Sequence, residues 1–400
     1  MNKLPDIKPE TKTIKFDRSS FLSAEIDLDV TEVAPIVGMS PGFIRKVVGH
    51  RRRINGSELL ALLDQDAFAE TFIPRSLILG YLLRKKEQNT ALPVSVPDHG
   101  ALLYQGNSLD LIGGLPDASI QCVVTSTPYW GMRIYKETQP VQWADGEHCS
   151  FGHEQTPEGF LRHTTEILYQ LMRVVKDEGS LWWNIMDTYN TRTQIRGNAS
   201  EALRAMQGKD KKKWGDHECR RYSSGHSFFK DGEQCLIPGR IAERAARLGY
   251  FVKSTIVWAK TSTLPEPQNS RVSRNLEYVL HLTKQRTPKF DKTCYRELPA
   301  KLGGRYKQLE TDKLSDVWTL PTSSGRDGHG AQFPIALPGR CIALSTDEGD
   351  RVLDPFVGAG NSGIAALDLK RAFIGFDISQ EYLETTKHRL GLVKSADPVR

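Results

Sequence analysis

From about residue 101 onward, short runs of consecutive apolar residues alternate with stretches where apolar residues recur every three or four positions. Uninterrupted apolar runs suit strands buried on both faces, and the longer spacing suits helices with one buried stripe. Their alternation predicts an α/β sheet. The predicted strands are Gln121–Thr125, Gly179–Asn184, Phe251–Trp258, Tyr278–Thr283, Arg351–Asp354 and Ala372–Phe376. The predicted helices are Thr156–Val175, Pro238–Leu248, Pro334–Leu344, Ser362–Leu369 and Gln380–Leu390. Val30–Leu83 reads as helical, and Leu92–Gly100, with two prolines and a closing glycine, reads as a linker. The pattern divides the chain into a mobile arm (1–20), a helical domain (21–92) and a larger domain (93–400). Polar insertions near 190–234 and 284–315 do not read as core.

Composition narrows the class. Hydrophobic residues at 39% and charged residues at 26% are ordinary for a globular chain. The longest apolar stretch, Ser76–Leu83, falls short of the roughly 20 residues of a bilayer span. Met1–Asp17 mixes charges and lacks an apolar core, so no secretory signal is expected. Six cysteines without a CxxC pair fit a reducing interior. The net charge of +6 is compatible with a nucleic-acid partner without demanding one.

Two segments carry chemistry. In Arg351–Ser379 an apolar strand ends at Asp354, glycines follow at 358, 360 and 363, and a helix leads to a second strand ending at Asp377. Glycines allow a sharp turn and close approach to a ligand, and an acid ending the next strand suits ribose hydroxyls. By spacing alone this also matches a nicotinamide-dinucleotide site. Against that, Pro355 interrupts the strand-to-glycine turn, and the unit lies at the C-terminus with no room for further strands after it. The second segment is Gln121–Trp130, where a buried strand runs into Ser126, Thr127, Pro128, Tyr129 and Trp130. Proline frees nearby carbonyls to accept hydrogen bonds, and Tyr129 offers a face for a planar base. A strand end whose aromatics simply pack in the core is the alternative.

Together the segments resemble the amino-methylating DNA methyltransferases. That family carries a Ser/Asp/Asn-Pro-Pro-Tyr/Phe tetrapeptide, here Ser126–Tyr129, and an Asp-Pro-Phe-x-Gly-x-Gly loop, here Asp354–Gly360. The likeness spans about Tyr104–Leu390. Gly106-Asn107-Ser108, Asn184–Tyr189, Trp258–Lys260, Glu277-Tyr278 and Phe333-Pro334 are further landmarks. Thr127 stands where the family has its first proline.

The resemblance implies a Rossmann-like mixed sheet flanked by helices, with the permuted β-type order in which the catalytic segment precedes the cofactor loop. It implies S-adenosyl-L-methionine as cofactor, held by Asn107, Thr125, Phe333, Pro334, Asp354, Pro355, Phe356, Gly358, Gly360, Asn361, Ser362 and Asp377. It also implies direct methyl transfer to an exocyclic amine of a base flipped from duplex DNA, with Ser126, Thr127, Pro128 and Tyr129 as the catalytic segment. Asp187 could orient the amine or take up its proton, or simply cap a helix. A leading serine resembles N4-cytosine enzymes more than N6-adenine ones. C5-cytosine chemistry is disfavoured because no Pro-Cys dipeptide occurs. The expected setting is a restriction–modification system in a bacterial or archaeal cytoplasm, near the nucleoid, with a cognate endonuclease acting on the same site. Adenine-N6 methylation is the first alternative; a nicotinamide-dependent oxidoreductase or a non-enzymatic DNA-binding regulator is more remote.

Basic residues supply candidate DNA contacts. Thr31–Arg53 carries helix-turn-helix features: Ala34, Gly38, Ile44 and Val47 at core and turn positions, and Ser40-Pro41 as a helix start. Pro35 should break or restart the first helix. Arg45, Lys46, Arg51, Arg52 and Arg53 could bind phosphates. Arg192–Arg221 has nine basic and four acidic residues, including Lys211, Lys212 and Lys213, and could be a DNA-facing loop. His148, Cys149, His153, His217 and Cys219 match no zinc spacing, so no metal is expected.

Overall fold

The computed structural model describes residues 28–37, 40–55, 58, 59, 62, 100–131, 140–144, 147–154, 156–190, 193–195, 219–221, 229–262, 269–322 and 333–392. The 1–20 arm, the Leu92–His99 part of the linker and Lys211–Lys213 lie outside the described residues.

Eight strands form the central sheet: β1 (Ala101–Gln105), β2 (Ile120–Ser126), β3 (Val175–Ile185), β4 (Phe251–Lys260), β5 (Leu276–Thr283), β6 (Val317–Leu320), β7 (Arg351–Asp354) and β8 (Ala372–Asp377). Their order across the sheet is β6-β4-β5-β3-β2-β7-β8-β1. Only β5 runs against its neighbours; the remaining pairings are parallel. The central strands β2, β7 and β8 are nearly continuous in buried residues because helices cover both faces.

Side chains alternate between those faces, so the adjacent Trp182 and Trp183 enter different cores. Trp183 joins Val123, Leu181 and Leu353 beneath three helices, α3 (Ser108–Gly113), α4 (Pro157–Val174) and α5 (Ile237–Leu248). Trp182 joins Val124, Val352 and Trp318 beneath α6 (Ala336–Ser345), α7 (Asn361–Asp368) and α8 (Gln380–Arg389). Thr156 caps α4 through the Gly159 amide, with Pro157 at the first position, and Ser379 caps α8. Among the described residues no helix is long and apolar enough to cross a membrane.

The six sequence-derived strands and five helices are present, with ends moved by a few residues. The largest move is at β3, which starts at Val175 although five polar or glycine residues follow it. The spacing missed β1, α3 and β6. All three are short, and β1 and β6 lie at sheet edges. One of the two grounds against a dinucleotide fold also fails: β7 and β8 take their sheet partners β2 and β1 from earlier in the chain, so lying last leaves ample room.

The 284–315 segment is a further correction, because it does join the core. Tyr295 is buried, and Arg340 on α6, fully buried, reaches across to it. The Arg340 guanidinium donates to Gly303 O at 2.7 Å, Gly304 O at 3.0 Å and both Glu310 oxygens at 2.7 and 2.8 Å. It also lies over the Tyr295 and Trp318 rings. Gly304 is obligatory there, since a Cβ would stand 1.8 Å from Leu298 O. Polar in composition, the segment is held by this buried cation together with Leu298, Leu302, Tyr306 and Leu314, which pack against the core.

At the N-terminal end, α1 (Val30–Val37) and α2 (Pro41–Val47) lie where the sequence predicts helices, with Ala34 and Ile44 buried, but Val47, read as a core position, is exposed. Ser40 caps α2 through Phe43 N. α1 runs through Pro35 without the expected break. The acceptor that proline cannot serve is Thr31 O, four residues back, and the Tyr169 hydroxyl donates to it instead.

Candidate active site

The two motif segments meet at the carboxyl edge of the sheet, where α/β folds bind ligands. β2 and β7 are hydrogen-bonded neighbours, so Ser126 and Asp354 end adjacent strands. A buried cross-link joins them: Thr125 Oγ1 donates to Asp354 Oδ1 at 2.6 Å. The same oxygen accepts from Phe356 N at 3.0 Å, and Ser362 Oγ donates to Asp354 Oδ2 at 2.5 Å. Burial raises the Asp354 carboxyl to about 6 even though all three donors pull it down. Thr125, Asp354 and Ser362 therefore clamp the glycine loop to β2.

Gly358 (φ 51°) and Gly360 (φ 83°) take the left-handed conformation that their lack of a Cβ allows. A Cβ on Gly360 would meet Thr386 Cγ2 at 2.7 Å, whereas one on Gly358 would meet nothing nearer than 4.0 Å. Gly360 thus serves packing, and Gly358 leaves open space over the loop. Asp377 ends β8 and accepts from Gly358 N and Ser379 N, each at 2.9 Å. Burial raises its carboxyl, with these amides opposing. Asn361 Nδ2 donates to Phe333 O at 2.7 Å, bringing Phe333-Pro334 against the loop. Ser108 donates to Pro355 O. Asn107 caps α3 through Leu109 N at 2.9 Å, at the carboxyl end of β1. Phe356 packs against Phe151 and edge-on to Trp183.

Beyond β2, Thr127 is buried and its hydroxyl has no hydrogen-bond partner. Pro128 lies close to Gly152, where an added Cβ would stand 3.1 Å from Pro128 Cβ. Trp130 Nε1 donates to Glu154 O at 3.0 Å. The 147–154 segment thus backs the tetrapeptide. Against this segment, His163 of α4 sits between Glu154 (2.9 Å) and Glu147 (3.8 Å) and stacks on Trp143. Cys149 is near this group, whereas the pattern His148-Cys149-His153 is not what converges.

Residues not singled out as site residues in the sequence complete the cluster. Tyr129 Oη donates to Glu277 Oε2 at 2.6 Å and lies 3.2 Å from Ser126 Oγ. Asn184 Nδ2 reaches Ser126 Oγ (3.2 Å), Tyr129 Oη (2.9 Å) and Glu277 Oε2 (2.7 Å). Lys260 Nζ pairs with Glu277 Oε1 at 2.5 Å. Asn184 ends β3, Glu277 opens the reversed β5 and Lys260 ends β4, so the reversal of β5 brings all three to one edge. Trp258-Ala259-Lys260 and Glu277-Tyr278 were visible as landmarks; their contacts were not.

Of the roles left open for Asp187, the structure shows the helix cap. Its carboxylate accepts from Thr188 N (2.9 Å), Leu236 N (3.2 Å) and Ile237 N (2.9 Å), capping α5. Leu236, at the cap position of α5, supplies no side-chain bond of its own. Burial raises the Asp187 carboxyl against these bonds.

The Arg45–Arg53 cluster, a candidate set of phosphate contacts, lies away from this edge. α1 and α2 dock on the ends of α4 and α5 that lead into β3 and β4, through Tyr169 to Thr31 and Ser40 N to Arg247 O at 2.6 Å. That is the amino edge of the sheet, opposite Ser126. Arg51 pairs with Glu58, and Arg52 with Asp29 at 3.2 Å. At the site edge, positive charge comes instead from Arg271 and Arg274, whose guanidinium groups lie 3.8 and 4.7 Å from the Tyr189 ring.

Comparison with known proteins agrees with this geometry. A family model described as DNA methylase, covering N6 and N4 enzymes, matches residues 120–388. The type II methyltransferase M.Cfr9I of Citrobacter freundii is 32% identical over 292 residues, 73% of this chain and 88% of that one. M.XycI of Xanthomonas campestris pv. cyanopsidis is 33% identical over 293 residues, with the same coverage. Among solved structures, the cytosine-N4-specific PvuII DNA methyltransferase shares the fold: TM-score 0.50, 18% identity, 74% of this chain and 87% of that one. With two thirds of its length matching that model and its motifs assembled at one sheet edge, the chain belongs to the N6/N4 DNA methylase family.

Proposed function

We propose that this protein methylates the N4 amine of cytosine in duplex DNA, using S-adenosyl-L-methionine, as the modification component of a type II restriction–modification system. The observation that carries this reading is the Thr125–Asp354 clamp, which holds the Ser126–Tyr129 segment beside the glycine loop. A leading serine supports cytosine over adenine, as does the likeness to an enzyme named cytosine-N4-specific. The relatives' type II designation supports the restriction–modification setting and a partner endonuclease cutting the same site.

The loop fits the cofactor. Gly358 leaves room for close approach, and the Asp377 carboxylate has more acceptor sites than its backbone bonds fill, suited to ribose hydroxyls. Phe333, Pro334, Phe356, Asn361 and Ser362 wall or brace that loop. When bound there, S-adenosyl-L-methionine supplies an electrophilic methyl group on a sulfonium.

The chain's own part is to make a poor nucleophile react. An exocyclic amine is weak because its lone pair is delocalised into the ring. Ser126 Oγ and the carbonyls around Thr127 and Pro128 accept the amine's N–H bonds and localise that pair, while the Tyr129 face stacks on the flipped base. Arg271 and Arg274 lie at this edge to meet phosphates. Asp187 stays a helix cap.

The test incubates the protein with methyl-tritiated S-adenosyl-L-methionine and unmethylated duplex DNA, followed by nucleoside chromatography. Label in N4-methylcytosine is expected. Label in N6-methyladenine transfers the reading to adenine, and no incorporation refutes it.

A further inference from the structure

We infer that Glu277, reached through Ser126 and Tyr129, is the group that receives the proton released by the target amine. This rests on the methyl-transfer reading above.

The polarity of the hydrogen-bond chain carries the argument. Three donors converge on the Glu277 carboxylate: Lys260 Nζ on Oε1, and Tyr129 Oη and Asn184 Nδ2 on Oε2. Glu277 is therefore arranged as an acceptor. Tyr129 has a single hydroxyl hydrogen, and at 2.6 Å that hydrogen points at Glu277. Toward Ser126 the phenol oxygen can only accept, so the Ser126 hydrogen turns to it across 3.2 Å. Asn184 Nδ2 shares its two hydrogens among Glu277 Oε2 and the two hydroxyl oxygens, and a group that can only donate favours this sense. Ser126 is left presenting a lone pair to the base, as the chemistry requires.

The same chain is a proton path. The amine nitrogen forms its bond to the methyl carbon as the carbon–sulfur bond breaks, and the departing electron pair stays on sulfur. The surplus nitrogen proton passes to Ser126 Oγ, the Ser126 proton to Tyr129 Oη, and the Tyr129 proton to Glu277 Oε2. A positive sulfonium and a negative carboxylate become a neutral thioether and a neutral acid, so charge and atoms balance. The two hops within the protein, Ser126 to Tyr129 and Tyr129 to Glu277, span 3.2 and 2.6 Å. Glu277 is 7% exposed, which keeps bulk water from substituting for the path. Asp187, committed to three backbone amides of its own, does not enter it.

The test compares Glu277→Gln, Tyr129→Phe and the double variant with the unsubstituted chain. The readouts are single-turnover transfer of tritiated methyl to unmethylated duplex DNA, KM for cofactor and DNA, and urea unfolding of the free protein. Each single variant should slow transfer by about 10²-fold, the low end for general acid–base catalysis, with both KM values within about twofold. The double variant should be no slower than the slower single one, because both cut one path. In unfolding, the two substitutions should likewise be coupled rather than additive. Transfer within about threefold of normal in Glu277→Gln or Tyr129→Phe, or fully multiplicative losses in the double, overturns the relay. Should the unsubstituted chain transfer no label, the functional reading falls and the relay with it.

Discussion

Replacing Thr125 with valine tests the clamp, because it removes one hydroxyl while keeping the shape of a buried, β-branched strand residue. Asp354 has its carboxyl raised from 3.8 to about 6, chiefly by burial. An acid that holds its proton more tightly when folded lowers stability as pH rises. The loss begins near the unfolded value of 3.8 and is complete above about 6, amounting to about 3 kcal/mol for about two units. Thr125 limits that loss with a 2.6 Å bond to the charged form. A hydrogen bond to a charged group contributes about 1.5–3 kcal/mol, so its removal should raise the folded carboxyl by a further one to two units, roughly. The variant should therefore lose about 1.5–3 kcal/mol near pH 8.5 and clearly less near pH 5, where the folded carboxyl is neutral either way. Urea unfolding of both proteins at the two pH values measures this. Equal losses at both, or no loss in the alkaline sample, would refute the assignment of charge and clamp.

Two further outcomes are expected. Glu310→Gln leaves the fully buried Arg340 guanidinium short of its bidentate partner and should cost about 3 kcal/mol in urea unfolding; a loss under about 1 kcal/mol would show that the pair does not hold the 284–315 segment to α6. Replacing Arg51, Arg52 and Arg53 together with alanine should leave the salt dependence of DNA binding unaltered, since the cluster sits at the amino edge. A slope reduced by two or three units, at about 0.9 for each phosphate no longer neutralised, would place that edge on the DNA after all.

Much of the catalytic core was legible in the chain because its signals are local. Glycines 358 and 360 sit where positive φ is needed, Ser40-Pro41 and Thr156-Pro157 start helices, and strands between two helical layers must be apolar on both sides. What stayed hidden depends on partners far apart in sequence. Arg340 and Glu310 read as surface charges until they bury each other. Pro35 reads as a helix breaker until Tyr169, 138 residues from Thr31, supplies the missing donor. Asp187 is an acid in a motif-rich stretch, and nothing local reveals that it caps a helix 50 residues away.

The sequence by itself determined the reaction class, since Ser126–Tyr129 and Asp354–Gly360 are contiguous segments whose backbone chemistry survives any arrangement of the rest. Tertiary structure alone decided which side chains act together. β5 runs against its neighbours, so Glu277 at its start meets Asn184 and Lys260 at the ends of β3 and β4. It also decided that the most basic stretch of the N-terminal region faces away from the site. Strand direction, set by how eight strands share hydrogen bonds and bury two cores, is a property of the whole sheet that no local spacing encodes.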